Sequence, residues 1–275
     1  MSRLDKQAIA EAYNRGLALE KSGDLGAAAA AFGEVLALDP EDHGGASVLL
    51  AAMGRGGAPE KMPDAYVATL FDQHADEFDE ILVEKLRYCV PLLLRELLRA
   101  HGDRKFERVL DLGCGTGLAG LALKDCAGHI TGVDLSERIV ELAYDRGVYD
   151  DLYVGEAVEF MTEFEEDGNS DTRWDLIAAT DVFPYLGTVE PIITAAANRL
   201  SANGLFGFST EALAKGLYAE TNYSVNVHRR FAHDAHYIRK TLRDMGFDIL
   251  AMDDITVRLE DGDPVDGHLV LAEKA

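Results

Sequence analysis

A short apolar strand that runs into alternating glycines constrains the fold of this chain more than any other feature. Residues 108–112 are predicted as the strand, and Gly113, Gly115 and Gly117 follow it before a helix predicted over 118–125. Glycines let the backbone turn tightly, and they let a ligand approach the N-terminus of the helix that follows. The pattern therefore predicts a strand–loop–helix unit that binds a nucleotide-like ligand.

Two kinds of ligand are compatible with this loop. Residues 115–120 also match GxGxxG, the fingerprint of dinucleotide binding, which would make the chain an NAD(P)-dependent oxidoreductase. Asp111 favours the other kind, because a carboxylate at the end of the strand repels a pyrophosphate but can meet an ammonium or sulfonium group. The loop thus favours a cationic ligand that carries an amino acid moiety.

A second acidic residue is placed where such a ligand would have a ribose. Asp134 ends the strand predicted over 129–134 and lies seventeen residues beyond Gly117. At the end of the second strand of such a unit, an acidic side chain can accept hydrogen bonds from both ribose hydroxyls. Asp111 and Asp134 are both costly at apolar strand ends without a partner, which favours a binding role over a purely structural one.

Strands alternate with helices from residue 107 onward. Strands are predicted over 108–112, 129–134, 152–154, 176–180 and 204–209, and helical patterns separate most of them. This alternation predicts an α/β fold in which helices cover both faces of a mostly parallel sheet. The segments 249–259 and 268–272, joined by a turn at 261–264, instead predict a C-terminal antiparallel hairpin.

A small all-helical segment is predicted over the N-terminal residues 1–58. Helices are expected over 7–21 and 26–38, residues 42–53 could begin a second helical unit, and the glycines of 54–59 mark a linker to a domain of residues 59–275. The spacing resembles one tetratricopeptide repeat, although Ala12 and Leu19 stand where that family usually has Trp and Tyr. One repeat cannot bury its own face, so the hairpin is expected to pack on the rest of the chain, on a second copy in a homodimer, or on a protein partner. The residues that carry the resemblance are Gly16, Ala28, Phe32 and Pro40.

The order of motifs around the glycine loop resembles a class I S-adenosylmethionine-dependent methyltransferase. Asp111-x-Gly113-x-Gly115-x-Gly117 is followed by Gly132-Val133-Asp134, and residues 174–183 are similar to the fourth strand of that family and its exit. Residues 71–79 resemble a helix that closes over the cofactor, with phenylalanine at both of its tyrosine positions. With its helical hairpin before this domain, the chain resembles a group of bacterial predicted methyltransferases that carry a tetratricopeptide-like repeat.

The resemblance implies a Rossmann-like sheet, S-adenosylmethionine as the cofactor and S-adenosylhomocysteine as its product. Backbone amides of the glycine loop would approach the methionine portion, Asp111 its ammonium, and Asp134 the ribose. Glu156 would accept from the adenine amine, and Asp181 would bridge the cofactor and substrate sites. Cover is expected from two helices over 64–78 and 81–101. The remaining residues that the resemblance assigns to the cofactor are Phe71, Tyr88, Cys114, Leu135, Ala157 and Val182.

Methyl transfer from a sulfonium needs alignment and exclusion of water more than it needs a protein base. If a base is used, it is expected after the fourth or fifth strand, where open α/β sheets bind ligands. Glu211 follows the fifth strand and His233 has a pKa near neutrality by type, so these two are the predicted catalytic residues. Other candidates in this region are Tyr185, Tyr223, His228, His236 and Tyr237.

The net charge of the chain limits the classes of molecule that could be the methyl acceptor. Lysine and arginine number 26 against 49 aspartates and glutamates, a net charge of −23, which disfavours nucleic acid and anionic membrane surfaces. Three cysteines without a cluster predict neither a disulfide framework nor a metal site. The absence of a signal peptide or of a long apolar run predicts a cytoplasmic protein. A small-molecule acceptor is favoured; the alternatives are a protein or peptide acceptor docked by the hairpin, the oxidoreductase, and a non-catalytic scaffold.

Overall fold

The computed structural model describes residues 3–166, 168–214 and 221–275. In these ranges nine strands form one sheet, in the order β3-β2-β1-β4-β5-β7-β6, with β9 antiparallel to β5 and β8 antiparallel to β9. Strands β1 to β5 pair in parallel. The strands are β1 Phe106–Leu112, β2 Ala127–Asp134, β3 Asp151–Val154, β4 Trp174–Ala179, β5 Leu200–Ala212, β6 Tyr223–Val225, β7 Phe231–His233, β8 Phe247–Glu260 and β9 Asp263–Lys274.

Ten α-helices accompany this sheet in the described ranges. A 3-10 turn over Ala75–Glu77 and a π-helical turn over Glu80–Lys85 follow α4, and a second 3-10 turn lies at Phe183–Tyr185. The helices are α1 Arg3–Ser22, α2 Leu25–Leu38, α3 Ala46–Ala52, α4 Asp64–His74, α5 Val90–Ala100, α6 Leu118–Leu123, α7 Glu137–Arg146, α8 Ala157–Glu163, α9 Glu190–Arg199 and α10 Ala235–Asp244.

Two apolar clusters cover the two faces of the sheet. Leu110 and Ile177 point to the face that α8, α9 and α10 pack against. Their neighbours Val109 and Leu176 point to the opposite face, against α5 and α6. Successive residues of a strand face opposite sides, so these buried strands carry continuous apolar runs. The predicted α/β fold, with its mostly parallel sheet and C-terminal hairpin, is confirmed.

The predicted single helix over 81–101 is wrong. The π-helical turn ends at Lys85, Arg87 has a φ of 54°, and α5 begins only at Val90. Pro91 lies in the first turn of α5, where a missing backbone N–H costs nothing, whereas inside a longer helix it would remove a hydrogen bond. Within this break the carbonyl of Leu86 accepts a hydrogen bond from the amide of Leu259 in β8, and the hydroxyl of Tyr88 donates to the carbonyl of Thr180 beyond β4.

The sequence did not predict the hairpin of β6 and β7, which are three residues each. This hairpin continues the sheet beyond the end of β4, because Glu211 and Ala212 of β5 pair with residues of β7. The C-terminal hairpin was predicted, and it turns at Asp261 and Gly262, whose φ angles of 52° and 91° suit a tight two-residue hairpin loop.

The N-terminal helices pack on the sheet domain. A Cβ at Gly16 would lie 2.7 Å from the ring of Phe32, so α1 and α2 approach closely at this point. Val48 of α3 shares an apolar cluster with Val67 and Phe231 of the sheet domain. The helical hairpin is therefore present; its identity as a tetratricopeptide-like repeat, and its role as a separate domain, stay predictions.

Candidate active site

A cavity of about 400 Å³ lies between the carboxyl ends of the central strands and the segment around α4. The loops after β1, β2, β3 and β4 form its floor, and residues from α4, the π-helical turn and the turn before β7 form its cover. The floor includes Gly113, Cys114, Gly115, Asp134, Leu135, Glu156, Ala157, Asp181 and Val182, and the cover includes Met62, Val67, Phe71, Phe78, Tyr88 and Arg230.

The glycine loop is built from backbone conformations that favour glycine. Gly113, Gly115 and Gly117 have φ angles of 61°, 54° and 100°. A Cβ at Gly113 would lie 2.6 Å from Cγ2 of Val182, so any side chain there would intrude on the cavity wall. Gly117 does not line the cavity but is the N-cap residue of α6. The loop thus forms an open cradle at the beginning of α6.

Asp134 is held at the rim of this cradle by the backbone. Its carboxylate accepts hydrogen bonds from the amides of Gly115, at 2.9 Å, and Ser136, at 3.0 Å. Burial raises the pKa of Asp134, and these two backbone donors act in the opposite direction. A carboxylate that is already oriented by two amides can accept further hydrogen bonds from a ligand without reorganising.

Asp111 does not line the cavity. It is fully buried, and Tyr149 donates a hydrogen bond of 2.7 Å to its Oδ2, whereas Oδ1 has no partner among the described residues. Burial raises the pKa of Asp111 to about 7, although the hydrogen bond from Tyr149 acts against this shift. The carboxyl group therefore lies beneath the glycine loop instead of facing a ligand ammonium as the resemblance implied.

The residues predicted to surround the adenine lie together in the cavity. Leu135, Ala157 and Val182 all line it, and Glu156 is the N-cap of α8, accepting from the amide of Glu159 at 2.8 Å. The other carboxylate oxygen of Glu156 lies 3.9 Å from Nζ of Lys61. Glu156 is thus fixed in place by the beginning of a helix.

The cover is apolar over the cavity and acidic along its outer edge. The ring of Phe71 packs edge-on against Phe78 and against Tyr185, each at 5.5 Å between centroids. The hydroxyl of Tyr88 donates to the carbonyl of Thr180 at 3.0 Å, so this tyrosine joins the cover to the end of β4.

Three carboxylates attach the cover to the glycine-loop side: Asp72 accepts from Ser136, Asp76 pairs with Arg138, and Asp79 binds Thr116 and Arg146.

The two residues predicted as catalytic lie outside the cavity wall. Glu211 is 1% exposed and its carboxylate lies 2.7 Å from Nη2 of Arg258, with a hydrogen bond of 2.6 Å from Asn226. His233 is fully buried, and its Nε2 donates to the carbonyl of Leu186 at 2.8 Å. Burial lowers the pKa of His233 to about 4, so the ring is neutral at pH 7. The structure does not bring either side chain to the cavity.

Sequence reasoning missed the cationic part of the site. Arg230 lines the cavity beside Asp181, and Lys61 lines it near Glu156. Tyr185 was considered only as a base, yet its ring forms part of the aromatic cover. Arg230 belongs to the hairpin of β6 and β7, whose short strands carry no pattern, and nothing local distinguishes it from its neighbour Arg229.

Other features of the described ranges fit the sequence expectations without testing them. In these ranges no helix is long and apolar enough to cross a membrane. No group of three or more potential ligands there is arranged to hold a metal ion. The cysteines Cys89, Cys114 and Cys126 are all free thiols.

Comparison with known proteins shows the family to which the chain belongs. Residues 82–252 match the family described as a methyltransferase domain. A ubiquinone biosynthesis O-methyltransferase of Bordetella avium is 26% identical over 44% of this chain, and a malonyl-[acyl-carrier protein] O-methyltransferase of Bacillus anthracis is 30% identical over 52%. The matched region is 49% of each relative, so the chain spans about half the length of these curated relatives.

A solved structure resembles about three quarters of the chain. Magnesium protoporphyrin IX methyltransferase from Synechocystis PCC 6803, with bound S-adenosylhomocysteine, superposes with a TM-score of 0.56 at 16% identity and covers 77% of this chain and 99% of its own. This likeness shows the fold, a Rossmann-like class I methyltransferase sheet. Since the family match extends over more than half of the residues, the chain belongs to the methyltransferase domain family.

Proposed function

We propose that this protein transfers a methyl group from S-adenosylmethionine to a small-molecule acceptor. The observation that carries the proposal is the arrangement of Asp134, oriented by two backbone amides, at the edge of a glycine cradle under an apolar cover. Membership of the methyltransferase domain family supports the reaction class. It disfavours the oxidoreductase and the non-catalytic scaffold.

The residues around the cavity fit this cofactor. The carboxylate of Asp134 is available to the ribose hydroxyls. Gly113 and Gly115 carry no side chain of their own, so their backbone can be approached closely by the methionine portion. Glu156 and the apolar Leu135 and Val182 suit the adenine. Asp111 acts differently from the expectation: through Tyr149 it supports the loop from below.

S-adenosylmethionine would supply an electrophilic methyl group, whose transfer leaves the electron pair of the broken bond on sulfur. The protein then has to align the acceptor and exclude water. The rings of Phe71, Phe78 and Tyr185 form a continuous aromatic surface that keeps water from this end of the cavity. Because Glu211 and His233 are buried elsewhere, we propose no proton transfer through them.

A cavity of about 400 Å³ beneath a cover favours a small acceptor over a macromolecule. The net charge of −23 disfavours nucleic acid. Two of the similar proteins are named for ubiquinone biosynthesis and for magnesium protoporphyrin IX, which agrees with a small-molecule acceptor. The N-terminal helices contribute Val48 to a cluster shared with the cavity wall, so we propose that they support the cover; a homodimer or protein partner on their outer face stays a prediction.

Calorimetric titration of S-adenosylhomocysteine into the full-length protein tests the cofactor. We expect Asp134→Asn to weaken binding about tenfold or more, because charge-assisted hydrogen bonds to two hydroxyls are lost. Asp145→Asn is the matched control, since Asp145 is an exposed acid on α7 and should leave the affinity unchanged. Binding of NADH instead, or equal binding by both variants, would contradict the proposal.

A further inference from the structure

Arg230 places a cation with unused donors in the wall of the cavity. Its Nη1 donates to the hydroxyl of Tyr185 at 2.6 Å, and the guanidinium lies 5.1 Å from the centre of that ring. The same nitrogen is 3.6 Å from Oδ2 of Asp181, which is beyond hydrogen-bond distance. Nε and Nη2 have no hydrogen-bond partner among the described residues, so one edge of the guanidinium remains available to a ligand.

The second cation of the cavity is already engaged. Lys61 is 2.8 Å from the carboxylate of Asp64 and 3.9 Å from that of Glu156. The ammonium of Lys61 thus donates directly to a carboxylate, whereas the carboxylate of Asp181 lies 3.6 Å from Arg230 without a hydrogen bond. Arg230 is therefore the better candidate to bind an anionic group inside the cavity.

The turn that carries Arg230 is anchored in the protein interior. The side-chain oxygen of Asn226 accepts from the backbone amides of His228, at 2.9 Å, and Arg230, at 3.1 Å. The side-chain nitrogen of Asn226 donates to Glu211 at 2.6 Å, and Glu211 pairs with Arg258, both residues being nearly inaccessible to solvent. A guanidinium presented by such a fixed turn loses little freedom when it binds, which is the property of a binding residue.

We propose that the methyl acceptor carries a carboxylate and that Arg230 binds it. The proposal rests on the methyltransferase function proposed above and adds the class of acceptor. The free edge of a guanidinium matches the two oxygens of a carboxylate. A phosphate dianion suits the site less well, since the carboxylates of Asp181, Glu211 and Glu260 already lie near Arg230. The apolar walls formed by Met62 and Phe71 suit a hydrocarbon or aromatic body on the acceptor.

Binding of matched probes to the full-length protein, saturated with S-adenosylhomocysteine, tests this assignment. The probes are benzoate, phenylacetate and octanoate, the primary amides of the same three skeletons, and phenyl phosphate, titrated by calorimetry. The variants are Arg230→Gln and Arg230→Lys. Arg229→Gln is the control, because Arg229 lies next in the chain but points to Glu20 of α1, 3.3 Å away.

We expect a carboxylate to bind about tenfold or more tightly than its amide, and Arg230→Gln to abolish this preference. Arg230→Lys should restore part of it, and Arg229→Gln should leave it intact. Equal binding of acids and amides, no binding by any acid, or a preference for phenyl phosphate would overturn the proposal. So would a loss of S-adenosylhomocysteine affinity in Arg230→Gln, since Arg230 would then hold the cofactor. Failure of the wild-type protein to bind S-adenosylhomocysteine would instead contradict the proposed function.

Discussion

The two halves of the cavity are built in different ways. The half around the glycine loop comes from two consecutive strand ends, where Gly115 and Asp134 lie nineteen residues apart and touch directly. The half around Arg230 combines segments that are far apart in sequence, since Met62 bonds to Tyr185 and Tyr185 bonds to Arg230. Short-range geometry specifies the first half, and long-range packing specifies the second. We call the half around the glycine loop the cofactor half and the half around Arg230 the acceptor half, after the ligands that we propose for them.

This difference predicts that substitutions affect the two halves of the cavity unequally. Few substitutions are expected to be tolerated in the glycine loop, because its backbone conformations favour glycine and its Gly115 amide binds Asp134. The cover, the 3-10 turn at Phe183–Tyr185 and the hairpin of β6 and β7 can vary while the sheet beneath them stays the same.

The largest expected effect concerns the anchor of the acceptor half. Glu211→Gln leaves the buried guanidinium of Arg258 without its fully buried partner, which costs about 3–5 kcal/mol of unfolding free energy. Glu260→Gln, which removes the second and more exposed partner of Arg258, should cost about 1 kcal/mol or less. Chemical denaturation of the two variants measures the difference.

Ligand binding by Glu211→Gln then sharpens the comparison between the halves. We expect the preference for a carboxylate over its amide to fall while the affinity for S-adenosylhomocysteine stays within about twofold, because the variant loosens only the turn that carries Arg230. The positioning role is refuted if both affinities fall together in a protein that is still folded. Equal stability of the Glu211 and Glu260 variants would contradict the expected role of burial.

The second prediction concerns the cofactor half and depends on pH. Burial raises the pKa of Asp111 to about 7 from its usual value near 3.8, so the folded state binds a proton that the unfolded state releases. The contribution of Asp111 to stability is therefore complete below pH 4 and is lost as the pH rises toward 7. A shift of three pKa units, at about 1.4 kcal/mol each, corresponds to about 4 kcal/mol.

Asp111→Asn removes this dependence. The stability of the variant relative to wild type should rise between pH 4 and pH 8, as measured by denaturant unfolding at several pH values. Asp145→Asn, which changes an exposed acid, should follow the wild-type profile throughout. A difference between Asp111→Asn and wild type that stays constant over this range would show that the carboxyl group titrates normally.

The sequence predicted the fold around the glycine loop well because its determinants are local. The strand before the glycine loop, the acid at position 134 and the C-terminal hairpin all depend on residues that are neighbours in the chain. Even here Asp111 was placed wrongly relative to the cavity, because its partner Tyr149 lies 38 residues away and gives no local signal. The break before α5 could have been found, since Pro91 indicates the first turn of a helix.

The acceptor half could not be predicted in the same way. Glu211 and His233 were selected because they follow strands and can titrate, but a position in the sequence does not reveal whether a side chain faces the cavity or the interior. The strands β6 and β7 are too short to show alternation, so Arg230 had no assigned place. A hairpin is recognised from sequence only when its strands or its turn carry a pattern.

The smallest expected effect compares two glycines of the same loop. Gly113 and Gly115 both have a positive φ, so an alanine at either position would have to adopt a left-handed backbone conformation, which costs about 1–2 kcal/mol. At Gly113 the new Cβ would also lie 2.6 Å from Val182, whereas at Gly115 it would lie 3.5 Å from Phe78, an ordinary contact. We expect Gly113→Ala to be less stable than Gly115→Ala by about 1–3 kcal/mol, the usual cost of overpacking.

Denaturant unfolding measures this difference, and Gly113→Ala combined with Val182→Ala should remove it. If the double variant is no more stable than Gly113→Ala, the constraint lies in the backbone of the loop alone, and contact between the loops after β1 and β4 does not contribute to it.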